Sequence, residues 1–174
     1  MNILVAGVHG VGKTYLSNQL PAEFGFISAS ASQLIKEERS LPSWNVDKRV
    51  NDIDANQTAL ASAVKRYNDN GIRLLIDGHF ILMNSMGEPT RLGPDVFKAL
   101  NLKLVVLLES SPERIANRIY KRDDRIVESN DISRLMRLEN EQARIVCKEI
   151  GAPVVILKDA DIESFTDTII SAKN

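Results

Sequence analysis

Along the chain, short apolar runs alternate with longer segments whose apolar residues recur at helical spacing. The first run, Asn2-Ile3-Leu4-Val5-Ala6, has the pattern of a buried strand, and residues 15–20 can open a helix after it. Phe26-Ile27 predicts a brief second strand, and 32–39 a helix with Leu34 and Ile35 on its apolar side. Residues 41–49, with Pro42 and Trp44, read as loop. The segment 54–70 places Leu60, Val64 and Tyr67 at helical spacing and is closed by Gly71. Arg73-Leu74-Leu75-Ile76-Asp77 is a strand ending in a carboxylate, 78–94 is turn-rich, and 95–100 is a short helix. The most apolar strand is 102–109, ending at Glu109. Ser111, with Pro112 and Glu113 after it, marks the start of the next helix. A long helix over 131–150 is stopped by Gly151, a last strand covers 153–157 and a terminal helix 162–172. This alternation predicts an α/β fold with helices on both faces of a parallel sheet. Ligands bind such sheets at the carboxyl ends of the strands, where Gly7, Asp77 and Glu109 fall.

The residues after the first strand change the picture from fold to chemistry. Gly7-Val8-His9-Gly10-Val11-Gly12-Lys13-Thr14 fills every fixed position of the phosphate-binding loop G-x-x-x-x-G-K-[ST], between a strand and a helix as that loop requires. Its glycines let successive N–H groups turn inward towards phosphate oxygens, and the helix N-terminus adds partial positive charge. Lys13 is expected to reach the β- and γ-phosphates of a nucleotide, and the Thr14 hydroxyl to ligate Mg²⁺. Asp77, closing its strand, is expected to act on the same metal; its structural alternative is to cap the Gly78 turn. Glu109 has a weaker claim, with strand-end placement near the next helix as its alternative.

Composition bounds the rest. The 174 residues predict one domain, with 44% hydrophobic and 26% charged residues as in ordinary globular proteins. A formal net charge of −1 gives no electrostatic case for bulk nucleic-acid binding. The lone Cys147 leaves no intrachain disulfide to form and reads as a packing residue. Met1 leads straight into the first strand, and no apolar run approaches a membrane span, so a cytoplasmic protein is the expectation.

Arginine placement adds a lid. Seven of the twelve arginines fall between Arg114 and Arg144. Arg114, Arg118 and Arg122 lie four apart on one helical stripe, and Arg125 follows in a short polar stretch. A salt-bridged solvated face is the bland account. Beside a phosphate-binding loop, mobile guanidinium groups also suit a triphosphate, so a short lid over about 118–130 is expected, with Arg114 the member least tied to it.

At this point the chain resembles the archaeal-type adenylate kinases and the related coilin-interacting kinases of eukaryotes. The resemblance rests on the loop at 7–14, on Leu75-Ile76-Asp77-Gly78-His79, on Leu92-Gly93-Pro94, on Val105-Val106-Leu107-Leu108-Glu109, on Arg125-Ile126-Val127-Glu128-Ser129, and on Gly151-Ala152. It implies a P-loop NTPase fold with a five-stranded parallel sheet, an acceptor-binding segment at about 30–70, and a short lid. It also implies transfer of the γ-phosphoryl of Mg-ATP to a nucleoside monophosphate, AMP favoured. Carried over by position, Gly10, Val11, Gly12, Lys13, Thr14, Tyr15 and Arg118 hold ATP, and Thr14 and Asp77 serve the Mg²⁺. Lys13, Asp77, Arg122 and Arg125 are the catalytic set, and Arg49 is the acceptor-side arginine. The chain departs from the family pattern at Tyr15, which replaces a second threonine, at His9, which replaces a proline, and at Gly78; Trp44 and Arg91 have no counterpart. Two alternatives stay open: a regulatory ATPase acting on a protein partner, and a kinase for a non-nucleotide alcohol with Asp77 as general base.

Overall fold

The computed structural model describes residues 1–39 and 53–172. Five strands form one parallel sheet: β1 (Asn2–Ala6), β2 (Phe26–Ser30), β3 (Arg73–Gly78), β6 (Leu102–Glu109) and β7 (Val154–Lys158). Their order is β2-β3-β1-β6-β7, so the loop-bearing strand β1 lies in the centre. Register places Val5 beside Asp77 on one side and beside Val106 on the other. The carboxyl ends of β1, β3 and β6 therefore meet at one edge.

Strand alternation divides the core in two. Leu4, Ala6, Leu74, Ile76, Val105 and Leu107 point to one face. They pack with α2 (Ala31–Arg39), α3 (Ile53–Asp69) and α4 (Pro94–Lys98). Ile3, Val5, Leu75, Leu104, Val106 and Leu108 point to the other face, with α1 (Lys13–Gln19), α5 (Pro112–Asp123) and α7 (Ile162–Ser171). The helix α6 (Ser129–Ile150) belongs to both: Ile132 packs with the second group, whereas Ala143, Val146 and Cys147 pack with the first. Its midpoint therefore passes the edge where β3 and β6 end.

Helix boundaries follow local chemistry. Ser111 caps α5 by accepting from the Arg114 N–H, with Pro112 in the first turn, as the sequence predicts. Asp161 caps α7 by accepting from the Ser164 N–H. Gly151, at φ 71°, stops α6 in a left-handed conformation that costs glycine least. The helix begins at Ser129, two residues before the expected start.

The segment 78–94 corrects the sequence reading. It is not only turns: Ile81–Met83 (β4) and Pro89–Arg91 (β5) pair as an antiparallel hairpin. The Asn84 side chain closes its turn, accepting from the N–H groups of Met86 and Glu88 at 2.9 Å each. Two three-residue strands of mixed polarity leave too short a pattern to detect by alternation. The second strand also runs further than Phe26-Ile27, because the polar Ser28 and Ser30 lie in the sheet beside β3.

Candidate active site

The turn from β1 into α1 holds its shape through close packing. A Cβ on Gly7 would lie 2.6 Å from the Leu108 carbonyl oxygen, and one on Gly10 would lie 2.7 Å from Ile119 Cγ1 of α5. Both glycines also have positive φ, at 138° and 83°. Larger residues would push the loop off β6 and α5.

Lys13 and Thr14 open α1 beneath this loop. The Lys13 side chain is 6% exposed; its ammonium donates to the carbonyls of Gly7 at 2.8 Å and Val8 at 3.3 Å. Asp77, half-buried at the end of β3, faces both residues. Its Oδ2 accepts from the Thr14 hydroxyl at 2.6 Å, and its Oδ1 lies 3.7 Å from the Lys13 ammonium. Hydroxyl and carboxylate oxygens at this separation are hard donors of the kind Mg²⁺ takes. No group of three or more His, Cys, Asp or Glu side chains clusters as a metal site among the described residues. One carboxylate and one hydroxyl fit a Mg²⁺ site, because that ion takes few protein ligands and completes its shell with water and phosphate. Asp77 therefore contacts Lys13 and Thr14 at the start of α1.

The arginines of α5 part company. Arg118 donates to the Val11 carbonyl at 2.7 Å and so reaches the loop itself. Arg122 binds Asp123 in a fork, at 2.7 and 2.6 Å, and also contacts His9 in the loop. The guanidinium holds the Asp123 carboxyl far below the ordinary carboxylate range, with His9 adding to the effect. Arg114 pairs instead with Asp159 at 3.0 Å, away from the loop. Arg125 is exposed in the stretch 124–128 between α5 and α6, with no ion-pair partner among the described residues. Tyr15 is 68% exposed at the start of α1. Arg49 and Trp44, and with them the centre of the expected acceptor segment, lie outside the described residues.

One feature, Glu139, escaped the sequence reading as a site element. His79 Nδ1 lies 3.2 Å from Glu139 Oε1, and the Phe80 N–H donates to Glu139 Oε2 at 2.7 Å. Glu139 is 2% exposed in the middle of α6. Burial and the Lys13 charge lower the His79 pKa against the opposing pull of Glu139. The signal was legible: Glu139 sits on the same stripe as Ile132, Ala143 and Val146, so a charge interrupts an apolar face. Glu109, the weaker candidate from the sequence, accepts through Oε1 from Asn140 at 2.6 Å.

Comparison with known proteins fits this geometry. The model of the AAA domain family matches residues 6–135, from the end of β1 through the loop, Asp77 and α5 into α6. The chain belongs to the AAA domain family. No curated protein matches it in sequence. Among solved structures, this AAA domain is similar to a shikimate kinase from Acinetobacter baumannii in complex with shikimate. That pair has a TM-score of 0.59 and 15% identity, over 98% of this chain and 90% of the other. It is also similar to a gluconokinase from Sinorhizobium meliloti 1021, with a TM-score of 0.54 and 15% identity, over 99% and 90% of the two chains. A third structure, of a protein from Eubacterium ventriosum ATCC 27560, gives 0.56 and 12% over 98% and 96%. At these identities the likeness carries the fold. The AAA domain described here is a P-loop, kinase-like α/β domain with a five-stranded parallel sheet. No helix among the described residues is long and apolar enough to cross a membrane.

Proposed function

We propose that this protein is a Mg²⁺- and ATP-dependent nucleoside monophosphate kinase of adenylate-kinase type, with AMP the favoured acceptor. One observation carries the choice among phosphotransfer chemistries. The carboxylates at the carboxyl edge of the described sheet are all engaged. Asp77 is held by Thr14 and Lys13, Glu109 by Asn140, and Asp159 by Ser110 and Arg114. The acceptor-side strand β2 ends in Ser30 and carries no carboxylate. An alcohol acceptor needs a base to remove its proton. A monophosphate arrives as an anion and needs none. The engaged carboxylates therefore favour the phosphate acceptor over the alcohol.

In this reading the loop amides and Lys13 hold the nucleotide phosphates, and Lys13 leaves its carbonyl contacts to follow charge onto the transferred group. Bound with ATP, Mg²⁺ would neutralise charge across the β- and γ-phosphates. Thr14 and Asp77 are the residues that would hold it. Val11, Leu16, Arg118 and Asp159 line a cleft beside the loop. Arg118 orients the donor, while Arg122 and Arg125 close on the developing charge, Arg122 exchanging Asp123 for phosphate. No protein nucleophile is required: alignment and charge stabilisation supply the rate. Lid closure over 118–130 keeps water from competing as acceptor.

Arg49 would bind the acceptor phosphate. ADP formation from Mg-ATP, measured with and without a panel of nucleoside monophosphates, tests the reading. Strong stimulation by one monophosphate supports it; acceptor-independent hydrolysis alone removes it.

A further inference from the structure

The helix α5 runs along the phosphate-binding loop and is fastened to it at successive points. Arg118 donates to the Val11 carbonyl at 2.7 Å, and Ile119 fills the space over Gly10. One turn further on, Arg122 Nη2 contacts His9 Nε2, so a guanidinium stands at the lip of the loop. Asp123 takes the same guanidinium in a fork, at 2.7 Å from Nε and 2.6 Å from Nη2. Its Oδ2 also lies 3.4 Å from His9 Nε2. Local rules do not account for this arrangement. Adjacent residues of a helix do not face one another, and an aspartate at the last position of α5 opposes the helix dipole. Both side chains nevertheless converge on one residue of the loop, His9.

We infer that Asp123 is a built-in anion, which occupies Arg122 in the nucleotide-free protein, competes with the phosphates of ATP for it, and so sets nucleotide affinity through that arginine. The inference deepens the kinase reading above and rests on it. Arginine binds carboxylate and phosphate alike, most strongly through a two-donor edge of its planar fork. Asp123 holds the edge that carries Nε and Nη2. A phosphate on the loop can take that edge only after the carboxylate has left. The clasp is weak enough to yield: Arg122 is 54% exposed and Asp123 36%, and exposed pairs bind weakly. A triphosphate, even with Mg²⁺ bound, carries more negative charge than one carboxylate. Release needs no movement of the helix, because Arg118 and Ile119 keep α5 on the loop while the side chains turn. Asp123 has solvent to turn into, since the chain leaves the helix at Asp124, in a left-handed conformation at φ 50°.

Asp123→Asn removes the charge and keeps the shape. Calorimetric titration with Mg²⁺ and a non-hydrolysable ATP analogue reads affinity without turnover. The variant should bind the analogue about two- to fivefold more tightly than the wild type, the scale of an exposed ion pair. On an Arg122→Ala background the same change should bring no gain, because the competition runs through that guanidinium. An equal gain in both backgrounds makes Asp123 a repulsive charge near the loop and overturns the inference. Weaker binding by Asp123→Asn also overturns it, since the carboxylate would then be steadying Arg122 for the phosphate. The wild type supplies a check that needs no aspartate variant. Its Arg122 Nε–H, assigned by its loss in Arg122→Lys, should exchange slowly without nucleotide and shift when Mg²⁺ and the analogue are added. An Arg122 Nε–H that exchanges as fast as that of the exposed Arg125 before nucleotide is added overturns the clasp. A wild type without acceptor-dependent turnover removes the kinase reading instead, and the affinities are still read because they need no turnover.

Discussion

Asp77→Asn separates a metal-handling carboxylate from a structural clasp. The aspartate holds the Thr14 hydroxyl at 2.6 Å and stands 3.7 Å from the Lys13 ammonium, whose side chain is only 6% exposed. Asparagine keeps the shape. Its oxygen can face Lys13 while its amide donates to the Thr14 oxygen, so hydrogen bonding survives and the charge is lost. At an effective dielectric near 20, two unit charges at that spacing attract by about 4 kcal/mol. The carboxylate's own desolvation offsets part of this, and Lys13 keeps the carbonyls of Gly7 and Val8. The net cost should be about 1.5–3 kcal/mol, the range for hydrogen bonds to charged groups. For a chain of this length that corresponds to a fall in Tm of roughly 3–12 °C. Scanning calorimetry without nucleotide reads the first effect. ADP formation across a Mg²⁺ titration reads the second, and the concentration for half-maximal rate should rise. A lowered Tm with an unchanged Mg²⁺ requirement would make Asp77 a clasp for the lysine and nothing more. Neither change would leave it a turn cap.

Other outcomes follow from the same geometry. Lys13→Ala should weaken ATP binding by about 1.5–3 kcal/mol in calorimetry, because a charge-assisted contact to phosphate is lost; equal affinity would contradict the loop assignment. Arg125→Ala should lower kcat more than it raises the KM for ATP, on the order of 10³ if it acts as an arginine finger, whereas unchanged kcat in both Arg122→Ala and Arg125→Ala removes the lid. Gly10→Ala sets a methyl against Ile119, so thermal stability should drop by about 1–3 kcal/mol; an unchanged Tm would mean that α5 yields freely. Burial pushes the Cys147 thiol up to about 11, so the folded chain keeps a proton that the unfolded chain releases near pH 9. Stability should therefore fall as pH rises from about 9 to 11, most visibly against a Cys147→Ser control; identical pH profiles would show the thiol unperturbed.

How much of this was legible depended on the length scale of each signal. The loop at 7–14 was readable because its chemistry demands fixed residues at fixed spacing between a strand and a helix. The main alternation was readable because β1, β3 and β6 are apolar on both faces, covered by helices on each side. Asp77 could be picked out because a carboxylate closing an apolar strand has few structural reasons to be there. The β4–β5 hairpin was not readable, since three-residue strands give no periodicity and their register is set by the Asn84 turn and by docking on α6. The division of the arginines was not readable either: one stripe on α5 meets the loop at Arg118, Asp123 at Arg122 and the end of β7 at Arg114. Glu139 left a trace, a charge on an apolar stripe. What it faces depends on a strand sixty residues earlier, through the bond to His79, and no local pattern encodes that partner.

The most direct test of the central claim follows the phosphorus itself. Wild-type protein with Mg-ATP and equimolar AMP is monitored by ³¹P NMR until the spectrum stops changing. Both ADP resonances should grow at the expense of the ATP γ signal and the AMP signal together, with inorganic phosphate negligible, and that exchange should be lost in Lys13→Ala. Inorganic phosphate appearing in step with ADP, at a rate indifferent to AMP and every other monophosphate, would contradict it.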